Sequence, residues 1–171
     1  IKVVFTGEGA DEMLGGYPPF RRDVLLYNSE GQDPAVVARL LAEMTSSNQA
    51  TRGLLTSDAE PGAELETVAR RLGWVPSWSE VFTDVGRRTA TLMRDDFMKD
   101  LSGINPYDLT LSRLPVSERV SGRDPLNQSL YLWSHTMLHN FILTFLGDRM
   151  EMAHSIEGRV PFLDHKVAEF A

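Results

Sequence analysis

The stretch from Asp124 to Gly147 restricts the fold more than any other part of the chain. Asp124-Pro125 opens it as a helix cap followed by a proline at the first helical position, where the missing N–H costs nothing. The apolar residues from Leu126 to Leu146 then lie all round the helix axis. A helix without a polar face has to be buried in the middle of a domain. Asn127, Gln128, His135, His139 and Asn140 interrupt the stretch, and a run of about eighteen apolar residues occurs nowhere in the chain, so no membrane span is expected. The pattern predicts one long buried helix from Pro125 to Leu146 that stops at Gly147.

Other segments are shorter. Ile1 to Phe5 reads as a strand, Thr6 to Gly9 as a loop, and Ala10 to Leu14 as a helical turn ended by Gly15-Gly16. Tyr17-Pro18-Pro19 predicts a change of direction, followed by a short helix over Arg21 to Tyr27. Asp33 caps a helix that begins at Pro34 and continues through Val37, Leu40, Leu41 and Met44 at a 3.6-residue period. Thr45 to Pro61 is polar and reads as a loop. Ala63 to Leu72 is helical, with Gly73 as its stop. Trp74, Pro76 and Trp78 mark an aromatic linker whose tryptophans pack a core edge. A longer helix is expected from Ser79 to Met93, reaching towards Met98. Ser102 to Val116 contains Gly103, Pro106 and Pro115 and is expected to be irregular. Val160 to Leu163 reads as a short buried connector, and Asp164 caps a last helix, His165 to Phe170. The chain is thus predominantly α-helical with one N-terminal strand, and it shows no internal repeat.

Composition excludes several functions. The 171 residues suffice for one domain with its own core. The net charge of −7 gives no electrostatic footprint for nucleic acid. With no cysteine there is no disulfide, zinc thiolate or thiol nucleophile. Seven methionines without a disulfide framework fit a cytoplasmic protein.

Candidate chemistry concentrates in the opening loop. Loops at the carboxyl ends of strands in α/β sheets are where ligands usually bind. Gly7 and Gly9 allow the backbone to approach a ligand closely, and free N–H groups there suit phosphate. Glu8, Asp11 and Glu12 repel phosphate unless a divalent cation stands between them. Mg²⁺ takes one or two carboxylates together with phosphate oxygens and water. A dinucleotide fingerprint would need glycine where Glu12 stands, and a Walker ending is missing. The local pattern is therefore compatible with a magnesium–pyrophosphate loop and equally with a tight turn carrying solvated acids.

Two blocks of sequence extend this reading. Thr6-Gly7-Glu8-Gly9-Ala10-Asp11-Glu12-Met13-Leu14-Gly15-Gly16-Tyr17 resembles the S/T-G-E-G-x-D-E-x-x-G-G-Y motif of asparagine synthases. Asp148 to Asp164 resembles the D-R-x-S-M-A-x-S-x-E-x-R-x-P-F-L-D segment of the same family, with Glu151 where serine is usual. The resemblance implies an α/β parent fold, the pyrophosphatase-loop ATPase type of the adenine nucleotide alpha-hydrolase-like class. Residues 1–171 would be a partial synthetase domain within it. It also implies the reaction: ATP adenylates aspartate, and ammonia released from glutamine by an N-terminal glutaminase domain attacks the adenylate. By the same resemblance Thr6, Gly7 and Gly9 lie on the nucleotide, Glu8 serves the adenylate chemistry, and Asp11 binds magnesium. A homodimer is compatible with it.

The family's S-G-G-x-D-S pyrophosphate loop and its nucleophilic cysteine do not occur in this sequence. A strand at residue 1 reads as a cut inside a larger protein, and the segment alone is expected to be inactive. Related amide ligases are the nearest rivals. In β-lactam synthetases a tyrosine stands at the position of Glu8, so Glu8 favours intermolecular amidation over ring closure. A non-catalytic helical interaction domain is the rival of a different class. Asp148, Arg149, Glu157, Arg159 and Asp164 are read mainly as structural ion pairs. His135 and His139 share a helix face, but the third ligand and the glutamate of a zinc motif are missing, so they are read as satisfied polar residues.

Overall fold

The computed structural model of the chain describes residues 2–47 and 62–171. These residues divide into two compact units, Ile1–Tyr17 with Leu126–Ala171, and Pro18–Pro125.

The first unit begins with β1 (Val3–Phe5), which leads into α1 (Ala10–Leu14). Its second half comprises α9 (Pro125–Trp133), a π-helical stretch (Ser134–Asp148) and α10 (Arg149–Ala153). β2 (Glu157–Arg159), a 3₁₀ turn (Pro161–Leu163) and α11 (His165–Phe170) complete it. β1 and β2 pair in parallel, with Val3, Val4 and Phe5 opposite Glu157, Gly158 and Arg159. The expectation of a single strand is thus corrected. Glu-Gly-Arg carries no strand signal of its own, and β2 exists because β1 offers it backbone partners.

The long helix also differs from expectation. It does not stop at Gly147: helical backbone runs on through the π-helical stretch into α10. Leu132, Trp133, Leu138 and Ile142 are buried, whereas Phe141, Phe145 and Leu146 are 42%, 51% and 50% exposed. An all-round apolar pattern states that cover is needed, and within this unit one side receives it. The Val160–Leu163 connector is likewise not buried, since Phe162 is 38% exposed. Asp164 caps α11 as expected, its carboxylate accepting from the Lys166 N–H at 3.0 Å.

The second unit holds α2 (Pro18–Tyr27), α3 (Pro34–Ser47), α4 (Ala63–Leu72), α5 (Ser77–Ala90), α6 (Asp95–Asp100), α7 (Pro106–Arg113) and α8 (Val116–Arg119). Its core contains Phe20, Leu65, Val68, Trp78, Val81, Leu111 and Val120. Asp33 caps α3 through the Ala35 N–H at 2.8 Å, and Gly73 ends α4 at φ +83°. The chain bends at Tyr17, and Pro18 and Pro19 occupy the first turn of α2, ahead of the expected start at Arg21, where no intrahelical N–H is needed. The same logic overturns the irregular reading of Ser102 to Val116. Pro106 starts α7, and the Asn105 side chain caps it by accepting from the N–H groups of Tyr107 and Asp108. α5 ends at Ala90, short of Met93, before the separate α6. Of the expected Thr45 to Pro61 loop, Thr45–Ser47 belongs to α3 and residues 48–61 lie outside the described residues.

Candidate functional site

The loop after β1 is set by backbone pairing. The Thr6 N–H donates to the Arg159 carbonyl at 3.0 Å, so the parallel ladder runs one step past Phe5. The chain then turns: the Gly7 carbonyl accepts from Ala10 N–H at 3.1 Å, and the Gly9 carbonyl from Met13 N–H at 3.0 Å. Gly9 has φ +93°, a left-handed conformation, and a Cβ there would collide with the Leu163 side chain. Leu163 belongs to the second sequence block. β-pairing and this contact together bring the two blocks against one another.

Of the five residues singled out from sequence, all lie on this turn. A Cβ at Gly7 would meet open space, so the backbone there is accessible. The Thr6 hydroxyl oxygen is buried and has no hydrogen-bond partner. Asp11 folds its carboxylate over Gly16, where any side chain would strike it. Glu8 has its carboxyl pushed above the usual carboxylate range, first by burial and then by the charges of Glu12, Glu151 and Asp11.

Four neighbours were not assigned roles of their own by sequence reasoning. Glu12 is 4% exposed, and its Oε1 accepts from the Tyr17 hydroxyl at 3.0 Å and from Trp133 Nε1 at 3.2 Å. The Tyr17 and Trp133 rings are tilted at 44° with centroids 5.1 Å apart. Burial and the Glu12 charge raise the Tyr17 hydroxyl well above its ordinary pKa, so it stays a donor. The available signal was the need of a buried Tyr or Trp for a polar partner. Glu151 sets its carboxylate over Gly158. Its departure from the family pattern therefore falls on β2 itself, next to the charge field of Glu8.

The remaining candidates do not join this site. His135 is exposed, stacked on Tyr131 at 4.1 Å, with Nδ1 2.9 Å from the Tyr131 carbonyl. His139 is exposed with Nδ1 3.1 Å from Asn140 Oδ1. Of the second block's charges, Arg159 and Glu157 form an exposed pair at 2.7 Å. Among the described residues, no group of three or more His, Asp or Glu stands close enough to hold a metal ion unaided. Among them too, no helix is long and apolar enough to cross a membrane.

A strand-end turn with two glycines and three acids is held against a second motif by a parallel ladder, the kind of position at which α/β sheets usually bind their ligands. The family profile described as Asparagine synthase matches residues 1–171, and the chain belongs to the asparagine synthase family. It is 28% identical to Amidase chyE of Penicillium rubens over 99% of this chain and 25% of that protein. To the Putative asparagine synthetase [glutamine-hydrolyzing] of Mycobacterium bovis it is 30% identical over 98% of the chain and 23% of the relative. To the Asparagine synthetase [glutamine-hydrolyzing] 1 of Bacillus subtilis it is 28% identical over 100% and 24%. The chain thus spans about a quarter of the length of the curated relatives it matches. No solved structure matches it.

Proposed function

We propose that this chain forms part of an ATP-dependent amide-forming ligase site. There aspartate is adenylated and the acyl group passes to ammonia, giving asparagine, AMP and pyrophosphate. The observation that supports this most is the Thr6–Glu12 turn, held at the carboxyl end of β1 against the second family block. Thr6, with its unpartnered buried hydroxyl, and the open backbone at Gly7 are suited to the nucleotide, and Gly9, packed on Leu163, lets the turn that presents them close. Asp11, with phosphate oxygens and water, is suited to hold Mg²⁺, which needs few protein carboxylates. When bound, the ion supplies positive charge where acids and phosphates crowd. Glu8, with its raised carboxyl, is suited to take a proton from the attacking ammonia, because a general base works best with a pKa nearer the working pH.

The short parallel pair fits a parent sheet of the pyrophosphatase-loop ATPase type. On this reading the polypeptide works in the cytoplasm with a glutaminase domain as its ammonia source, and a homodimer is compatible with it. Aspartate-dependent exchange between ATP and pyrophosphate by the full polypeptide tests the proposal. Exchange should require Mg²⁺ and persist in Glu8→Gln, whereas asparagine formation from ammonia by that variant should collapse; undiminished asparagine formation by that variant would remove Glu8 from its role. A second reading, amide chemistry on an acid other than aspartate, is favoured by the similarity to a protein named an amidase. Exchange supported by another carboxylic acid and not by aspartate would select it.

A further inference from the structure

Glu8 and Asp11 are the acids of the turn to which the proposed reaction gives work. Glu12 is treated differently by the fold. Its side chain is buried, and it is the buried residue of α1, a helix of five residues flanked by left-handed Gly9 and Gly15. So short a helix cannot hold itself in water, because its few bonds do not offset nucleation. Such helices are normally anchored by an apolar side chain. Here the anchor is a carboxylate, which is costly to bury unless hydrogen-bonded. Both observed donors, the Tyr17 hydroxyl and the Trp133 indole, converge on one oxygen, Oε1. Tyr17 directly follows the glycine pair that ends α1, and Trp133 closes α9. The contact therefore ties the end of α9 to the middle of α1. Asp11 adjoins the tie point, and Glu8 lies one helical turn before it.

We propose that Glu12 is a positioning residue: its Oε1, clamped between Tyr17 and Trp133, pins α1 and so holds Glu8 and Asp11 in the arrangement amide formation requires. This rests on the proposed function for its kinetic consequence, although the clamp itself does not. The role needs an acceptor oxygen at Oε1 rather than a negative charge. Glutamine supplies such an oxygen, and leucine fills similar space without one.

The test uses Glu12→Gln, Glu12→Leu and Tyr17→Phe in the full polypeptide. Native-state hydrogen exchange is read at the Ala10, Met13 and Gly16 amides, whose partners are the Gly7, Gly9 and Asp11 carbonyls. Glu12→Leu should speed exchange at these amides about tenfold, the net effect of losing both bonds to Oε1, without changing amides in the Pro18–Pro125 unit. It should lower kcat for asparagine formation about tenfold with the KM for ATP nearly unchanged. Glu12→Gln should stay within about threefold of wild type in both readouts, and Tyr17→Phe, which removes one of two donors, should fall between. A Glu12→Leu protein as protected and as active as wild type overturns the proposal. So does a Glu12→Gln protein as impaired as Glu12→Leu while its α1 amides stay protected, since that assigns the work to the charge. If Glu12→Leu fails to fold, Tyr17→Phe against Glu12→Gln makes the same comparison. If the wild type makes no amide, the functional reading fails, and the exchange contrast alone decides whether Glu12 holds α1.

Discussion

Replacing Gly9 by alanine perturbs the turn at the point where the two sequence blocks touch. Two costs combine there. The backbone sits at φ +93°, where an L-residue loses about 1–2 kcal/mol. The new methyl also occupies the position of the Leu163 side chain, including its Cγ, so the whole leucine must leave its rotamer rather than swing one tip aside. Overpacking of that kind costs about 1–3 kcal/mol. The sum, about 2–5 kcal/mol, is a large share of the stability of an ordinary domain. Urea denaturation, followed by far-UV circular dichroism, measures it. The two costs separate in a double-mutant cycle. Leu163→Ala removes the clash and leaves the backbone strain, so Gly9→Ala should be milder by about 1–3 kcal/mol in the Leu163→Ala background. Single costs that add to within about 0.5 kcal/mol would refute the argument, because Leu163 would then not be what excludes a side chain at position 9.

Other perturbations test the rest of the site and its support. Glu8→Gln should stabilise the fold at neutral pH while abolishing the amide formation proposed for the full polypeptide. A carboxyl raised in the native state favours folding at low pH and loses that advantage as pH rises through its folded pKa, so the variant's gain should vanish below the ordinary glutamate value of 4.5 in a pH series of urea titrations. Gly158→Ala should shift the melting temperature only slightly, because the methyl meets only the far end of the flexible Glu151 side chain, which can swing aside; a large loss rescued by Glu151→Ser would refute this. Asn105→Ala should cost about 1–2 kcal/mol by thermal denaturation, since it uncaps α7 and removes the 3.0 Å bond from Asn105 Nδ2 to the Glu64 carbonyl.

Features written locally were legible in the sequence. Asp33, Gly73 and Asp164 end or start helices through their own backbone or side chain, and each acts as its residue type predicts. The two motif blocks were legible as residues, but their contact was not. β2 is three residues of Glu, Gly and Arg, and nothing in that composition marks a strand until β1 is beside it. Proline misled at Pro106, because it punctuates a chain equally well by breaking a helix and by starting one. Asn105, placed just before Pro106, was the local cue that separated the two. The long apolar stretch misled differently. Periodicity reports which residues need cover, and the exposed Phe141, Phe145 and Leu146 show that cover on that side is not supplied within their own unit.

The electrostatics of the turn bear on why Glu12 escaped notice. Three acids within five residues look interchangeable in a sequence, and a magnesium argument enlists them all. The fold separates them by what each carboxylate meets. Asp11 leans over Gly16, Glu12 is buried under two aromatic donors, and Glu8 stays partly buried in the field of Glu12, Glu151 and Asp11. Each position in that field adds to the difficulty of ionising Glu8. The anchor that holds the turn in place therefore also keeps a negative charge beside the proposed base. Position and proton affinity are thereby coupled through one side chain. An apolar anchor at position 12 would fill the same space and separate them.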